Sequence, residues 1–219
     1  MPLPIHGITD AMTEALMFDL DNTLYSEKTG MEMMVLERIN GFVSTFLGWP
    51  AGETHARRRE GARRYGTTLE WLVYEKGLKD VEGYFSFVHP EGEETCLSDD
   101  KVLRQFLDSL DYRKIVLTNA PIEHAERVLK TLGIRDRFSA VYDIKYNSLV
   151  GKPHPKSYLR ALEASGLSLE TTVFIDDGPK YIKGYLALGG RAILKDEGER
   201  FGELGFERIR TLEELSEIL

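Results

Sequence analysis

Cysteine and long apolar runs are both scarce in this 219-residue chain. Its single cysteine, Cys96, cannot form an intrachain disulfide, which excludes the disulfide-stapled folds of small secreted domains. No apolar stretch reaches the length that a membrane span needs. Cys96 has no His or Cys at metal-ligand spacing, so we interpret it as an ordinary packed or surface thiol. These absences predict a soluble, cytoplasmic protein that does not insert into a membrane.

Positive charge is also in short supply, with 28 Lys and Arg residues against 36 Asp and Glu and a net charge of -8. This balance gives no electrostatic footprint for a nucleic-acid polymer, and a small anionic substrate would need a local positive site. Residues 1–14 lack the basic region and apolar core of a secretion signal. We expect a short, loose leader there.

Helical periodicity dominates residues 26–97, whereas strands and helices alternate in the rest of the chain. Predicted helices occupy 31–47, 52–65, 68–76 and 81–87, with no convincing strand among them. The predicted strands are short apolar runs at 15–19, 114–117, 139–144, 171–175, 191–194 and 207–209. Helices are predicted between and after them, at 98–110, 121–132, 155–165, 180–188 and 212–219. This alternation indicates an α/β fold, a Rossmann-like parallel sheet with helices on both faces.

Asp19 and Asp21 stand where the first predicted strand ends, at the edge where open α/β sheets bind ligands. On a continuing strand both side chains would point to the same face, and two like charges that close favour a divalent cation or a shared proton. One carboxylate can then attack an electrophile while the other moves a proton. The alternative is a strand end with ordinary Asp-Asn turn chemistry.

Two further strand ends carry residues that suit a phosphate group. Thr118 and Asn119 precede the helix that Ala120-Pro121 opens, and they form either a phosphate site or only a helix cap. Lys152 lies among prolines and a glycine at 151–155, where a rigid backbone can hold its charge against a fixed anion. The alternative for Lys152 is a solvated loop lysine.

A second acidic pair, Asp176 and Asp177, ends the predicted strand at 171–175, and two acids exceed what one helix N-cap requires. Along residues 18–177 the strand ends therefore carry, in order, Asp-x-Asp, Thr-Asn, Lys and Asp-Asp. This series resembles the signatures of the haloacid dehalogenase (HAD) superfamily of phosphotransferases.

The resemblance implies a two-part layout. A HAD core would comprise residues 1–25 and 98–219, and residues 26–97 would be a helical cap domain inserted after the first strand. Only 32 residues separate Asn119 from Lys152, which is room for a helix and a strand but not for a second cap. Because a cap excludes bulk water and selects the leaving group, this layout predicts a small-molecule phosphate ester as substrate.

The resemblance also assigns roles. Asp19 would be the nucleophile that takes the phosphoryl group, and Asp21 the acid and base that protonates the leaving oxygen and then activates water. Lys152 would pair with both the phosphate and Asp19. The phosphate-binding set is Thr118, Asn119 and Lys152. The implied Mg²⁺ would be held by Asp19, the backbone carbonyl of Asp21, Asp177, and Asp176 either directly or through water.

Shorter motifs resemble the pyrimidine 5′-nucleotidase branch of the superfamily and imply a nucleoside 5′-monophosphate substrate. Gly178 and Tyr181 stand where that branch usually has Ser and Asn, a departure that bears on the geometry of this loop. Asp21 favours phosphate esters over haloacids, since a halide leaves without needing a proton. The branch motifs are Tyr65-Gly66-Thr67-Thr68-Leu69, Phe87-Val88-His89, and Thr118-Asn119-Ala120-Pro121 with His124-Ala125.

Other functions fit the same residues. A sugar-phosphate phosphatase or phosphomutase would share this core, although a mutase must retain its phosphoenzyme and no feature of the predicted cap favours that. A non-catalytic scaffold on the same fold is disfavoured, because every expected catalytic residue is present. The sequence leaves a monomer and a homodimer equally open.

Several conspicuous residues are interpreted as structural. His89 reads as a plain loop histidine, and Trp49 and Trp71 as core of the helical segment. Tyr25 either lines the entrance to the site or packs at the hinge before the helices. A solvated helix face, rather than a substrate clamp, is predicted for the run Arg57, Arg58, Arg59, Arg63 and Arg64.

Overall fold

One parallel sheet of six strands organises the part of the chain that the computed structural model describes, residues 12–219. The predicted leader therefore lies almost entirely outside the described residues. The strands are β1 Ala15–Phe18, β2 Arg113–Leu117, β3 Ala140–Tyr142, β4 Thr172–Asp176, β5 Arg191–Lys195 and β6 Glu207–Ile209. Their order across the sheet is β3-β2-β1-β4-β5-β6, and every neighbouring pair is parallel. This arrangement confirms the predicted α/β, Rossmann-like fold.

Nine α-helices connect or follow these strands within residues 12–219. They are α1 Met31–Leu47, α2 Ala51–Tyr65, α3 Thr68–Tyr74, α4 Val81–Val88, α5 Lys101–Ser109, α6 Ile122–Thr131, α7 Pro155–Ser165, α8 Pro179–Leu186 and α9 Leu215–Ile218. Short 3₁₀ turns lie at Glu27–Thr29, Glu93–Cys96, Arg135–Arg137 and Leu212–Glu214. None of the helices in the described part of the chain combines the length and apolarity that crossing a bilayer requires.

One predicted strand, 139–144, is wrong at its C-terminal end, because β3 stops at Tyr142. The cause is Asp143, whose carboxylate accepts hydrogen bonds from the backbone N–H groups of Ile122 (2.9 Å) and Tyr146 (2.8 Å). An Asp that caps a helix and a turn in this way competes with the strand for the local backbone. The chain therefore leaves the sheet earlier than its apolar pattern suggests.

Alternate residues of the strands feed two apolar layers, one on each face of the sheet. Leu16 and Phe18 of β1 pack in the layer that also contains residues of α5, α6 and α9. Met17 packs in the opposite layer with residues of α7 and α8. Burial on both faces explains why these strands are continuous apolar runs rather than alternating ones.

The central strand, β1, is also the point at which the order of the sheet reverses. It pairs with β2 on one side and with β4 on the other, so the segments that follow these three strands lie side by side. The N–H of Asp19 extends the pairing by donating to the carbonyl of Ile175 at 2.8 Å. Ligands of open α/β sheets bind at such a switch point.

Helices α1 to α4, all between β1 and β2, share an apolar cluster of their own. Trp71 is buried there, and its ring lies 5.9 Å from that of Trp49. Both tryptophans are thus packing residues, as the sequence predicts. The assignment of residues 26–97 as a cap domain remains a prediction.

Gly61 of α2 offers a test of this packing, because a Cβ at this position would lie 2.3 Å from the ring of Trp71. We expect Gly61→Ala to lower the free energy of unfolding by about 1 to 3 kcal/mol through overpacking. The measurement is the denaturant midpoint at unchanged slope. Gly52→Ala on the same helix, where nothing lies within 4 Å, is the control and should be neutral or stabilising. Equal effects at the two glycines would contradict the packing argument.

Candidate active site

The chain reverses direction immediately after β1, and this turn presents Asp19 and Asp21 at the edge of the sheet. Asn22 adopts a left-handed conformation (φ 57°), which asparagine tolerates better than most residues. The N–H groups of Thr23 and Leu24 then both reach the carbonyl of Leu20. The Asp-Asn turn chemistry of the sequence is therefore real, and it serves to place the two carboxylates.

Lys152 is a deeply buried cation, with only 1% of its surface exposed. Its Nζ donates to Oδ1 of Asp19 and to Oδ2 of Asp176, both at 2.6 Å. The side chain of Asn119 holds the backbone of this lysine, because Oδ1 accepts from the Lys152 N–H (2.7 Å) and Nδ2 donates to the Lys152 carbonyl (3.0 Å). Lys152 is thus fixed between two carboxylates, and the solvated-loop alternative is excluded.

Three carboxylates, those of Asp19, Asp176 and Asp177, converge beside this lysine, and each offers an oxygen within 4.8 Å of the others. Burial raises the pKa of Asp19 and raises that of Asp176 well above its ordinary value, although the Lys152 charge opposes both shifts. Burial and the Asp19 and Glu32 charges raise the pKa of Asp177 to about 7, against the pull of Arg200. One ammonium does not neutralise this cluster, so its hard oxygen set fits a divalent cation such as Mg²⁺.

Thr118 is buried beside this cluster at the end of β2. Its Oγ1 accepts from the N–H of Ala120 at 3.0 Å, which leaves the hydroxyl proton free to donate. Among the described residues, no protein acceptor pairs with the backbone N–H of Asn119. Both donors belong to residues that line the cavity described next.

A cavity of about 530 Å³ opens over the sheet edge and extends beneath the helical segment. The sheet side is lined by Asp19, Asp21, Thr118, Asn119, Lys152 and Asp177. The helical side includes Ile39, Arg58, Leu69, Tyr84, Phe85 and His89. One chamber therefore joins the acidic cluster to a mixed apolar and cationic wall, and it is large enough for a small organic molecule.

The order of these residues along the chain is the one found in a known protein family. The sequence profile of the haloacid dehalogenase-like hydrolases fits residues 13–189. This chain belongs to that family. Its membership makes it a hydrolase and confirms the superfamily that the four strand ends predict.

Among curated relatives, phosphate metabolism protein 8 of Saccharomyces cerevisiae is 28% identical over 194 residues, which cover 82% of this chain and 60% of that protein. The chain therefore spans about three fifths of this relative's length. Among solved structures, a HAD phosphatase from Thermococcus onnurineus superposes with a TM-score of 0.64 at 22% identity, covering 94% of this chain and 97% of its own.

Two other solved structures share the fold at lower identity. A HAD hydrolase from Bacillus subtilis, bound to magnesium, gives a TM-score of 0.65 at 18% identity and covers 95% of this chain and 99% of its own. L-2-haloacid dehalogenase from Xanthobacter autotrophicus, with chloropropionic acid covalently bound, gives a TM-score of 0.62 at 16% identity. The match covers 94% of this chain and 98% of the dehalogenase. Phosphatases and dehalogenases thus share this architecture, and at these identities the likeness concerns the fold alone.

This HAD hydrolase departs from the nucleotidase motif at Gly178 and Tyr181, and the two departures are complementary. A Cβ at Gly178 would lie 2.5 Å from Cδ2 of Tyr181, so the tyrosine ring occupies the space of a side chain at position 178. The N–H of Gly178 still donates to Oδ1 of Asp176 at 2.7 Å. The loop therefore keeps a direct hydrogen bond to the acidic cluster.

Arg58 corrects one prediction made from the sequence. Arg57, Arg63 and Arg64 are indeed partly exposed and pair with acidic side chains of the helical segment. Arg58, in contrast, is only 7% exposed and lines the cavity. Its Nε donates to Oδ1 of Asn40 (2.7 Å) and its Nη1 to Oγ1 of Thr68 (3.1 Å). Among the described residues, no carboxylate forms an ion pair with it.

The side chain of Asp21 turns away from the acidic cluster and joins a network that sequence reasoning missed. Its Oδ1 accepts a hydrogen bond from the Tyr25 hydroxyl at 2.7 Å and lies 2.8 Å from Nε2 of His124. Nδ1 of His124 lies 2.5 Å from Oε1 of Glu93, and Nδ1 of His89 lies 3.0 Å from the same oxygen. His89 is therefore a network residue and not a plain loop histidine.

Each charged group of this network stabilises the ionised form of its partners. Burial alone would raise the pKa of Asp21, but the His124 charge and the hydrogen bonds from His124 and Tyr25 lower it to about 2. The pKa of Glu93 is also lowered to about 2, because hydrogen bonds from His124 and His89 outweigh the effect of its burial. Burial lowers the pKa of His124, yet Asp21 and Glu93 raise it to about 9. The available signal was His124 in the Thr-Asn motif, but no spacing in the sequence links positions 21, 93 and 124.

Glu93 provides a pH-dependent test of the network. Its pKa is depressed on folding from 4.5 to about 2, so the stability it contributes is present above pH 4.5 and is lost as the pH falls toward 2. We expect Glu93→Gln to lower the free energy of unfolding by about 3 kcal/mol at neutral pH. The deficit should shrink across that acidic window in denaturant titrations. Glu91→Gln, an exposed neighbour, should show no deficit at any pH. A Glu93→Gln deficit that stays constant down to pH 3 would contradict the network's charge balance.

Proposed function

We propose that this HAD hydrolase is a magnesium-dependent phosphomonoesterase that hydrolyses a small phosphate ester through an aspartyl phosphate on Asp19. The observation that carries this proposal is the buried Lys152, which contacts Asp19 and Asp176 at 2.6 Å in a cavity wall that also contains a second acid, Asp21. A carboxylate oriented by a fixed cation, with a second carboxyl two residues away, is the set that a two-step ester hydrolysis needs.

In the first step, an oxygen of Asp19 attacks phosphorus as the bond between phosphorus and the leaving oxygen breaks. Asp21 is ionised at rest, because the His124 charge and its hydrogen bonds lower its pKa to about 2, so it first takes up a proton from solvent and then gives it to the leaving oxygen. In the second step, Asp21 takes a proton from the water that attacks the aspartyl phosphate, which releases inorganic phosphate and restores Asp19. Lys152, the Thr118 hydroxyl and the Asn119 amide hold the phosphoryl oxygens.

A divalent cation fits the oxygens of Asp19, Asp176 and Asp177, together with the backbone carbonyl of Asp21. When bound there, Mg²⁺ would neutralise phosphoryl charge and orient the group. The magnesium-bound Bacillus subtilis relative supports this choice of metal. The crowding of three carboxylates with raised pKa values supports it independently.

Phosphate esters are favoured over haloacids because of Asp21. An alkoxide leaving group needs a proton donor and a halide does not. A second acid fastened by two hydrogen bonds at the cavity wall has a role in ester cleavage but none in carbon–halogen cleavage. The name of the yeast relative and the Thermococcus phosphatase support the same choice.

The leaving group is best matched by a nucleoside, a pyrimidine 5′-monophosphate being the specific proposal. Tyr84 and Phe85 offer aromatic surface in the cavity, and Arg58 offers a guanidinium without a carboxylate partner among the described residues. A buried cation of this kind is stabilised by a ligand acceptor such as a base carbonyl. The branch motifs of the sequence point to the same substrate class.

The assay is a panel of phosphate esters, including nucleoside monophosphates and sugar phosphates, with measurement of released phosphate. We expect Mg²⁺-dependent turnover that EDTA abolishes and that falls at least about 1,000-fold in Asp19→Asn, because the nucleophile is lost. Turnover that survives Asp19→Asn would sink the covalent mechanism. Transfer to a second sugar without free phosphate would instead favour a mutase, and no turnover of any ester would favour the scaffold.

Arg58→Gln tests the nucleoside proposal. Losing one charge-assisted hydrogen bond to the base should lower kcat/KM for a nucleoside monophosphate about 10- to 100-fold. The loss should be much smaller for methyl phosphate, which has nothing to reach Arg58. Arg59→Gln, exposed on the same helix, is the matched control and should stay within about twofold of the unmodified chain. An equal loss on both esters would mean that Arg58 only supports the helical segment.

A further inference from the structure

Only one of the two carboxyl oxygens of Asp21 takes part in hydrogen bonds with described residues. Tyr25 and His124 both bond Oδ1, at 2.7 and 2.8 Å, and no donor within residues 12–219 bonds Oδ2. The side chain is 29% exposed and lines the cavity. Oδ2 is therefore the oxygen available to a ligand, and rotation that would exchange the two oxygens breaks two hydrogen bonds.

His124 is itself held in a single orientation. It is fully buried in the first turn of α6, and its Nδ1 lies 2.5 Å from Oε1 of Glu93. Because a carboxylate only accepts hydrogen bonds, Nδ1 carries a proton and donates it to Glu93. This bond fixes the ring plane and directs Nε2 at Asp21, in the manner by which a carboxylate orients a histidine in other catalytic sites.

Glu93 is in turn fixed by groups from three elements. Its side chain has no exposed surface, and it pairs with Arg38 of α1 and, at 3.3 Å, with Arg127 of α6. His89, at the end of α4, lies 3.0 Å from Oε1. A network with this many charged bonds resists rearrangement, because breaking one bond leaves a buried charge unpaired.

A metal centre is a second reading of the same residues, since His89, Glu93 and His124 each offer a ligand atom within 4.8 Å of the others. Two observations favour hydrogen bonding instead. Two guanidinium groups already neutralise Glu93, so a further cation there would be repelled. The distance of 2.5 Å between Nδ1 of His124 and Oε1 of Glu93 leaves no place for an ion between them.

We propose that His124, oriented by Glu93, is a positioning residue that holds Asp21 for proton transfer at the leaving oxygen. This inference rests on the proposed phosphomonoesterase function and adds a residue to it. With Oδ1 held, Oδ2 takes up a proton from solvent and passes it to the leaving oxygen as the bond of that oxygen to phosphorus breaks. The same oxygen then takes a proton from the attacking water. A displacement of this carboxyl of about 1 Å is enough to cost about 100-fold in rate.

Two variants that carry the same amide group and differ only in side-chain length test the inference. The amide nitrogen of Gln in His124→Gln can reach Asp21 as Nε2 does, whereas the shorter Asn in His124→Asn cannot. The substrates are p-nitrophenyl phosphate, whose leaving group needs no proton, and glycerol 3-phosphate, whose alkoxide does. We expect His124→Asn to lower kcat/KM for glycerol 3-phosphate about 100-fold and for p-nitrophenyl phosphate less than about 5-fold. His124→Gln should restore most of the loss.

A double-mutant cycle shows whether His124 acts through Asp21. When Asp21 is already replaced by Asn, adding His124→Asn should lower kcat/KM for glycerol 3-phosphate by no more than about a further twofold. Equal losses on the two esters, or a full further loss in the Asp21→Asn background, would overturn the inference. Bound zinc in the purified protein, with activity lost on its removal and restored by zinc alone, would establish the metal reading instead.

Tyr25→Phe keeps the test decisive if His124→Asn does not fold, because it removes the other donor to Oδ1 and keeps the ring packing. It should show the same selective loss on glycerol 3-phosphate, and an unselective loss would contradict the fixation of Oδ1. The two proposals fail separately. If the unmodified chain hydrolyses both esters and no variant is selective, only this inference falls. If it hydrolyses neither these two esters nor any other phosphate ester of the panel, the phosphomonoesterase function falls and the inference with it.

Discussion

Charge compensation by one buried ammonium group is the constraint on which this site depends. Lys152 is almost completely removed from solvent, and it contacts two carboxylates that belong to different strand ends. Without it, the ends of β1 and β4 would bring unpaired like charges together at the carboxyl edge of the sheet, and the cost of burying them would be several kcal/mol per ion. The side chain of Asn119 secures the lysine backbone from a third strand end, so β1, β2 and β4 all contribute to one charge balance.

The sequence predicts the sheet and the polar residues at its carboxyl edge well because both depend on local information. A continuous apolar run specifies a strand buried on both faces, and a polar residue after such a run must lie at the carboxyl edge of a parallel sheet. The sequence alone therefore places Asp19, Thr118, Asp176 and Asp177 at one edge, and it places Lys152 in the loop that follows the third strand. The end of β3 could not be predicted, because the side chain of Asp143 competes with the strand through a local hydrogen bond from Tyr146 and one from Ile122, in the segment that follows a different strand.

The residues that sequence reasoning misjudged all owe their environment to contacts between distant segments. Arg58 belongs to a basic run, and nothing in that run separates the one arginine that turns inward from those that pair with surface acids. Glu93 and His124 are 31 positions apart, and Asp21 is a further 72 positions before Glu93. Charged side chains are mostly exposed, so a buried His–Glu pair becomes visible only when α6 and the turn after α4 are seen together.

The contact between Gly178 and the Tyr181 ring has an evolutionary consequence. A chain with this tyrosine accepts the serine typical of the nucleotidase branch at position 178 only if the ring is displaced, since the first side-chain carbon would overlap the ring. The order of replacement is therefore constrained, because position 181 must lose its ring before position 178 can gain a side chain without a clash. Epistasis of this kind makes the effect of a side chain at position 178 depend on the residue at position 181.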